Sequence, residues 1–454
     1  MSLISSISRP GPSTSLSRLL KPQFSLESRR YAAGEAGPVG KAGYLQKLGS
    51  AQKSKMRKKL PMYKALPASQ LDRPILVSNK PQFDPPVFTP AAIKAATAVG
   101  QPFVINPKDN DPMKCFGIPR KLWLEFKLLS RPYTVVREVT KDIIQLLEDA
   151  KQSSSANTRV VFTGRPGCGK SFLLLQAVES CAQQNWVVIY IPRAVDLVNS
   201  TTSYAYDIRT QTYLQPWYSF QTIQRMLTVN KEAFTKIKLV EDLVLEKSVL
   251  AKGTTLDQVI EAALAERGVS VAQAPVYLEA VMKALEAQTQ YPVILAIDDM
   301  QTLYGKTAYR DPHFQAIHSY HLSLPRMLME FASGKRSFQK GAVLGAISAS
   351  QTTHPIPLEL RDALDLHNEN YRIASPYEKR DKVLVEYAKG LKNMAVPEKL
   401  TLAEAIGVFE IWKEQQVFGR EKFFYDEAFM GKYTESGGNA RDFVWKGLLA
   451  TLDT

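Results

Sequence analysis

Two segments of this 454-residue chain carry residue types at spacings that could do chemistry. The first is Gly164-Arg165-Pro166-Gly167-Cys168-Gly169-Lys170-Ser171, set between the apolar run Val160-Val161-Phe162 and the helical stretch that begins at Phe172. Glycines so spaced let successive backbone amides turn inward around phosphate oxygens, and a helix N-terminus behind them adds partial positive charge. In this Walker A arrangement Lys170 reaches the β- and γ-phosphates and the Ser171 hydroxyl coordinates Mg²⁺. Arg165, Pro166, Cys168 and Phe172 complete the predicted nucleotide-binding stretch.

The second segment, Val293-Ile294-Leu295-Ala296-Ile297-Asp298-Asp299, is an apolar strand ending in two carboxylates. Asp298 is predicted to hold Mg²⁺ at the carboxyl end of its strand, where ligands of such sheets bind. Asp299 stands where related ATPases place the glutamate that polarises the attacking water. It is one methylene shorter, and a displaced base loses much of its effect, so hydrolysis is expected to be slow at most. Ser348 and Ser350 close a further apolar run at a position suited to sensing a γ-phosphate. Gly438-Asn439-Ala440-Arg441 reads either as a second sensor, with Arg441 over the nucleotide, or as a helix-initiating turn with a surface arginine. His313, His318 and His321 lie close together but lack the further ligands a metal site needs.

Positioning these residues requires a sheet. Short apolar runs at Arg159–Thr163, Val187–Ile191, Val293–Ile297, Ala342–Ser348 and, weakly, Tyr371–Ala374 are separated by helical stretches, which predicts a parallel sheet with crossover helices. The fold class is therefore α/β. About 100 residues separate the second run from the third, too many for one crossover, so an insertion is expected near 200–290. Tyr204, Tyr206, Tyr213, Trp217, Tyr218 and Phe220 crowd its start, suited either to stacking bases or to core packing. A helix is predicted from Pro132 to Ala150, with Val135, Val136, Val139, Ile143, Ile144, Leu146 and Leu147 at helical spacing. The nucleotide-binding core then spans 120–375, and 376–454 reads as a small helical domain.

Charge is unevenly placed. Residues 1–64 hold 13 Lys or Arg against Glu27 and Glu35, so a net +11 of the total +14 belongs to the N-terminal region. Residues 1–31, rich in Ser and Arg with interleaved Leu and Ile, read as a mitochondrial transit peptide ending at Arg29-Arg30-Tyr31, which predicts a matrix protein. Residues 32–119 are proline-rich and read as an extended basic arm that needs a partner surface, because proline removes an amide donor and fixes φ. Within it, Lys53, Lys55, Arg57, Lys58 and Lys59 are either RNA phosphate contacts or a solvated charge run. No run approaches the roughly 20 apolar residues of a transmembrane helix, so membrane insertion is not expected. Three cysteines without metal spacing read as free thiols.

Taken together these segments resemble one family. The matrix address, the Pro-rich basic arm, the Gly-Arg-Pro-Gly-Cys-Gly-Lys-Ser loop and Ile-Asp-Asp are similar to those of the nucleotide-binding protein of the mitochondrial small ribosomal subunit, the death-associated protein 3 family. So is Met300-Gln301-Thr302-Leu303-Tyr304-Gly305-Lys306-Thr307-Ala308-Tyr309-Arg310, followed by His321-Leu322-Ser323-Leu324. The resemblance implies an AAA+-like P-loop NTPase core. It also implies a structural place in the small subunit, with contacts to ribosomal RNA, to neighbouring ribosomal proteins and to the large subunit through an intersubunit bridge. It further implies bound GTP or GDP with Mg²⁺, held by Gly167, Gly169, Lys170 and Ser171 near Asp298. The guanine preference comes from the resemblance alone; the Asn-Lys-x-Asp motif of small GTPases is absent, and the residues leave ATP open. The rival reading is a hydrolysing AAA+-like matrix NTPase acting on nucleic acid or protein.

Overall fold

A computed structural model describes residues 83–449, apart from 130, 246–248, 266–269, 349–351, 367–374, 376 and 416–425. The predicted transit peptide, the basic cluster at 53–59, Ser350 and the predicted run Tyr371–Ala374 lie outside the described residues.

The sheet has five parallel strands: β1 (Arg159–Thr163), β2 (Val187–Ile191), β3 (Val293–Ile297), β4 (Gly341–Ala346) and β5 (Lys392–Ala395). Their order across the sheet is β5-β1-β4-β3-β2. Strands β2, β3 and β4 are buried along their whole length, as expected when helices cover both faces of a parallel sheet. β1, β2 and β3 match the predicted runs, and β4 ends two residues sooner than predicted. The fifth strand lies beyond 376, in a stretch read from sequence as helical. Its residues Lys392-Asn393-Met394-Ala395 are mostly exposed and carry no apolar run to betray them. Pairing with β1 from Lys392↔Val160 to Ala395↔Thr163 makes it a strand, and the Thr163 hydroxyl donates to Asn393 Oδ1 at 2.6 Å.

Helices α1 (Arg120–Leu128), α2 (Glu138–Ala150) and α3 (Lys170–Gln183) lead into and out of β1. The helix predicted from Pro132 begins only at Glu138. Tyr133–Val135 instead form a short strand antiparallel to Pro102–Val104, and α2 takes the later apolar positions Val139, Ile143, Ile144 and Leu147 into the core. The proline-rich stretch also differs from an arm from residue 83 onward. Phe88, Ile93, Phe103, Ile105, Met113 and Phe116 are buried in the main core. Its prolines do not prevent this. Pro90 and Pro112 open short helices capped by Thr89 and Asp111, where the missing amide proton costs nothing.

Between β2 and β3 lie helices α4 (Pro216–Phe234) and α5 (Ser270–Ala287), which pack on each other, with a shorter helix, Leu256–Ala265, against both. The aromatic run before α4 packs largely on itself: Tyr204 meets Tyr213 and Tyr309 at 5.8 and 4.9 Å between ring centroids. A second apolar cluster joins Val104, Tyr133 and Val135 to Trp412 of α6 (Leu402–Glu414) and to Phe443 in the last helical segment. No helix among the described residues is long and apolar enough to cross a membrane.

One buried pair couples this packing to pH. The Glu179 carboxyl of α3 bonds to that of Asp111, which requires a proton on one of them. Burial pushes Glu179 well above the carboxylate range, reinforced by the charge of Asp111, and burial raises Asp111 as well. A carboxyl with a raised folded pKa stabilises below its unfolded value and loses that contribution as pH rises through the folded one. Glu179→Gln, which mimics the protonated form, is therefore expected to raise the melting temperature relative to wild type by a margin that grows from about pH 5 to about pH 8. Thermal denaturation across that range checks it; a margin independent of pH contradicts the shared proton.

Candidate nucleotide site

The loop 164–169 leaves β1 at its carboxyl end and enters α3. Gly164, Gly167 and Gly169 all have positive φ. Gly167, at +87°, has a second constraint: a Cβ there would stand 2.4 Å from Asn439 Oδ1 and 3.0 Å from Arg441 Cβ. The close approach is a real junction. The Arg441 amide donates to the Gly167 carbonyl at 3.0 Å, and Asn439 Nδ2 donates to the Pro166 carbonyl at 3.0 Å. Asn439 also caps its own helical turn, its side chain accepting from the Asp442 amide. Gly438–Arg441 thus starts a helix, and that helix start lies against the glycine loop.

Lys170 is buried, and its Nζ donates to the Gly164 and Arg165 carbonyls, both at 2.8 Å. Burial lowers its pKa, opposed by Cys168 and Asp298. The Ser171 hydroxyl is hydrogen-bonded to Asp298, which is buried at the end of β3. Burial, with the adjacent charge of Asp299, pushes the Asp298 carboxyl up to about 7 against the pull of Ser171 and the Asp299 amide. Asp299 sits at φ +56° and precedes the short helix Met300–Tyr304 without capping it through its side chain.

A cavity of about 490 Å³ gathers Pro166, Gly167, Gly169, Lys170, Ser171 and Phe172 along one wall, together with Asp298, Asp299, Ser348 and Arg441. Gly164, Arg165 and Cys168 do not line it. Arg165 pairs outward with Glu398 at 3.7 Å, and Cys168 is buried beneath the loop. The rest of the lining is largely apolar, with Leu122, Phe126, Leu400, Ile411, Trp412 and Val444.

Two residues in this arrangement escaped the sequence reading. Arg137, buried before α2, donates through Nη1 to the Cys168 carbonyl at 2.8 Å and through Nε to Glu404 at 3.2 Å. Its Nη2 reaches the Pro397 and Lys399 carbonyls. Glu404 in turn accepts from the Thr401 amide to cap α6. Gln301 exchanges two 3.0 Å bonds with the Ser348 backbone and so fixes the end of β4. No periodicity marks a lone arginine, but Gln301 sits directly after the two aspartates, where a residue bridging adjacent strand ends could be sought.

This geometry defines an α/β protein with a five-stranded parallel sheet and flanking helices, an architecture compatible with the P-loop NTPase fold. Residues 134–445 match the family described as mitochondrial ribosomal death-associated protein 3, and the chain belongs to that family. It is 25% identical over 350 residues to small ribosomal subunit protein mS29 of Neurospora crassa, covering 75% of this chain and 71% of the relative. The protein of that name from Schizosaccharomyces pombe is also 25% identical over 350 residues, 76% of this chain and 70% of its own. The mouse protein is 26% identical over 286 residues, 62% and 69% respectively.

Two substitutions test the junction. Gly167→Ala is expected to cost more stability than Gly117→Ala, since both sites have positive φ but only the first meets a neighbour; backbone strain alone is about 1–3 kcal/mol. Arg137→Ala is expected to destabilise by about 3–5 kcal/mol, because Glu404 and several carbonyls lose their buried partner. Denaturant titration measures both, and equal costs for the two glycine variants would contradict the packed junction.

Proposed function

We propose that this chain is a structural component of the mitochondrial small ribosomal subunit, resident in the matrix, that binds a purine nucleotide with Mg²⁺ in the cavity beside residues 164–171. GTP or GDP is the proposed ligand. The observation that carries the nucleotide is one wall holding a helix N-terminus, a buried ammonium and a hydroxyl–carboxylate pair. Lys170 fits a polyphosphate: a desolvated cation bonded to carbonyls gains from anionic oxygens more than a solvated one would. Ser171 and Asp298 are oxygen donors of the kind Mg²⁺ takes, and would hold the ion, which neutralises phosphate charge when bound. Gly167 and Gly169 let backbone amides approach the phosphates. Ser348 and Arg441 line the same cavity and are the proposed contacts of the γ-phosphate; with the strand order this supports an AAA+-like core.

The ribosomal role is supported by family membership and by the name that the fungal and mouse relatives share. The ribosomal RNA, neighbouring small-subunit proteins and the large subunit across a bridge are the proposed partners, with Lys53, Lys55, Arg57, Lys58 and Lys59 as RNA phosphate contacts. Bound nucleotide stabilises rather than drives work in this reading. A ligand at a hundredfold excess over its dissociation constant adds about 2.7 kcal/mol to the folded state.

Lys170→Ala is expected to strip nucleotide from the purified protein and lower its melting temperature, while wild type turns over triphosphate well below about 1 s⁻¹. Nucleotide extraction and a hydrolysis assay check this; unchanged nucleotide content in folded Lys170→Ala would refute the site. Tagged protein is expected to sediment with the small subunit in sucrose gradients of mitochondrial lysate. Recovery only from free fractions would end the ribosomal reading.

A further inference from the structure

The cavity is lined by more than the glycine loop and the strand ends. Helix α1 contributes Leu122, Glu125 and Phe126 to it, and Trp412 and Val444 line it from the C-terminal side. A carboxylate among such neighbours is out of place unless something bonds to it. Glu125 Oε1 accepts from Trp445 Nε1 at 2.5 Å, and its second oxygen has no donor among the described residues. Burial pushes its carboxyl up to about 7, opposed by the Trp445 bond and by Lys121.

Several other polar groups of the lining are already engaged, while Arg120 and Lys121 of α1 line it as charged neighbours of Glu125. Gln176 Nε2 donates to Thr134 Oγ1 and to the Val135 carbonyl, while its Oε1 accepts from Thr140. Arg137 is bonded to Glu404 and to the loop, and the Tyr133 hydroxyl accepts from Gln415. Glu125 is tied to the phosphate loop through a short path. Trp445 follows Arg441 by about one helical turn, roughly 5–6 Å of rise, and the Arg441 amide bonds to Gly167.

We propose that Glu125 is the residue that reads the base, its carboxylate accepting the N1–H and the exocyclic amine of a guanine seated on the apolar wall, with Trp445 fixing its orientation. This rests on the cavity being a nucleotide site. A carboxylate is acceptor-only and matches two adjacent donors, which guanine presents on this edge. Adenine presents an acceptor at N1, so its lone pair meets the carboxylate's and one bond is lost. Buried groups left unpaired in this way give strong discrimination between otherwise similar ligands. The Asn-Lys-x-Asp motif supplies its carboxylate from a loop; here the acceptor comes from a helix that precedes the sheet.

The test is equilibrium binding of GDP, IDP and ADP, each with Mg²⁺, to the full chain freed of nucleotide. IDP lacks only the exocyclic amine. Wild type is expected to bind GDP about tenfold or more tighter than IDP and tighter still than ADP. Glu125→Gln keeps an acceptor for Trp445 but loses the second acceptor. It is expected to weaken GDP by about ten- to a hundredfold, to erase the step between GDP and IDP, and to leave ADP unweakened. Equal loss of all three ligands would mark Glu125 as structural only and overturn the assignment. So would wild-type protein that binds GDP and IDP alike, a comparison that decides the matter even if the variant does not fold. Failure of wild type to bind any of the three overturns the nucleotide reading itself, and this assignment with it.

Discussion

One guanidinium holds the glycine loop to the rest of the chain. Arg137 enters from the segment before α2, bonds to the carbonyl of Cys168 in the loop, to carbonyls just beyond β5 and to Glu404 at the start of α6. Its five donors in a planar fork can satisfy acceptors in several directions at once, which a lysine could not do. The three regions it joins come from opposite ends of the core in sequence. Replacing it with an apolar side chain would take its cationic partner from the buried Glu404 carboxylate and a donor from several carbonyls. The loop geometry, the edge strand and the C-terminal helices therefore stand or fall together.

Around that hub the cavity is built where two apolar clusters meet. The main cluster contains the sheet and its helices; the second joins the strands at 102–104 and 133–135 to the C-terminal helices. Neither cluster alone encloses the cavity, since its lining draws on both, from Phe126 and Leu173 on one side to Trp412 and Val444 on the other. Charge follows the same division. The ammonium of Lys170 opens α3 and the carboxylates of Asp298 and Asp299 follow β3, while α1 brings the carboxylate of Glu125 with Arg120 and Lys121.

Much of the site was legible because it is local. A glycine loop between a buried strand and a helix has to be contiguous in sequence, so Gly164–Ser171 announces itself. Asp298 and Asp299 follow a run of five apolar residues and are as plain. β1, β2 and β3 could be read from burial on both faces, which leaves uninterrupted apolar runs. β5 could not, because an edge strand in a parallel sheet needs little apolar surface and takes its conformation from pairing with β1. The strand at 133–135 was hidden for a related reason: Val135, with Val136 after it, continues the helical spacing of α2, and only the pairing with 102–104 separates the two elements. Proline misled in the opposite direction, since at the first position of a helix it is compatible with a packed core.

What the sequence alone determined is the chemistry at the strand ends: which residues could meet phosphates and a divalent ion, and that a parallel sheet must carry them. Those features depend on backbone conformation over a few neighbouring residues. Only the tertiary structure decided that Arg441 lies on the glycine loop, that Arg137 joins loop, edge strand and C-terminal helix, and that Glu125 stands on the apolar wall. Each of these is a contact between residues far apart in the chain. Such contacts arise from how buried surfaces fit and which polar atoms must be satisfied once water is excluded, and no short stretch of sequence contains that information.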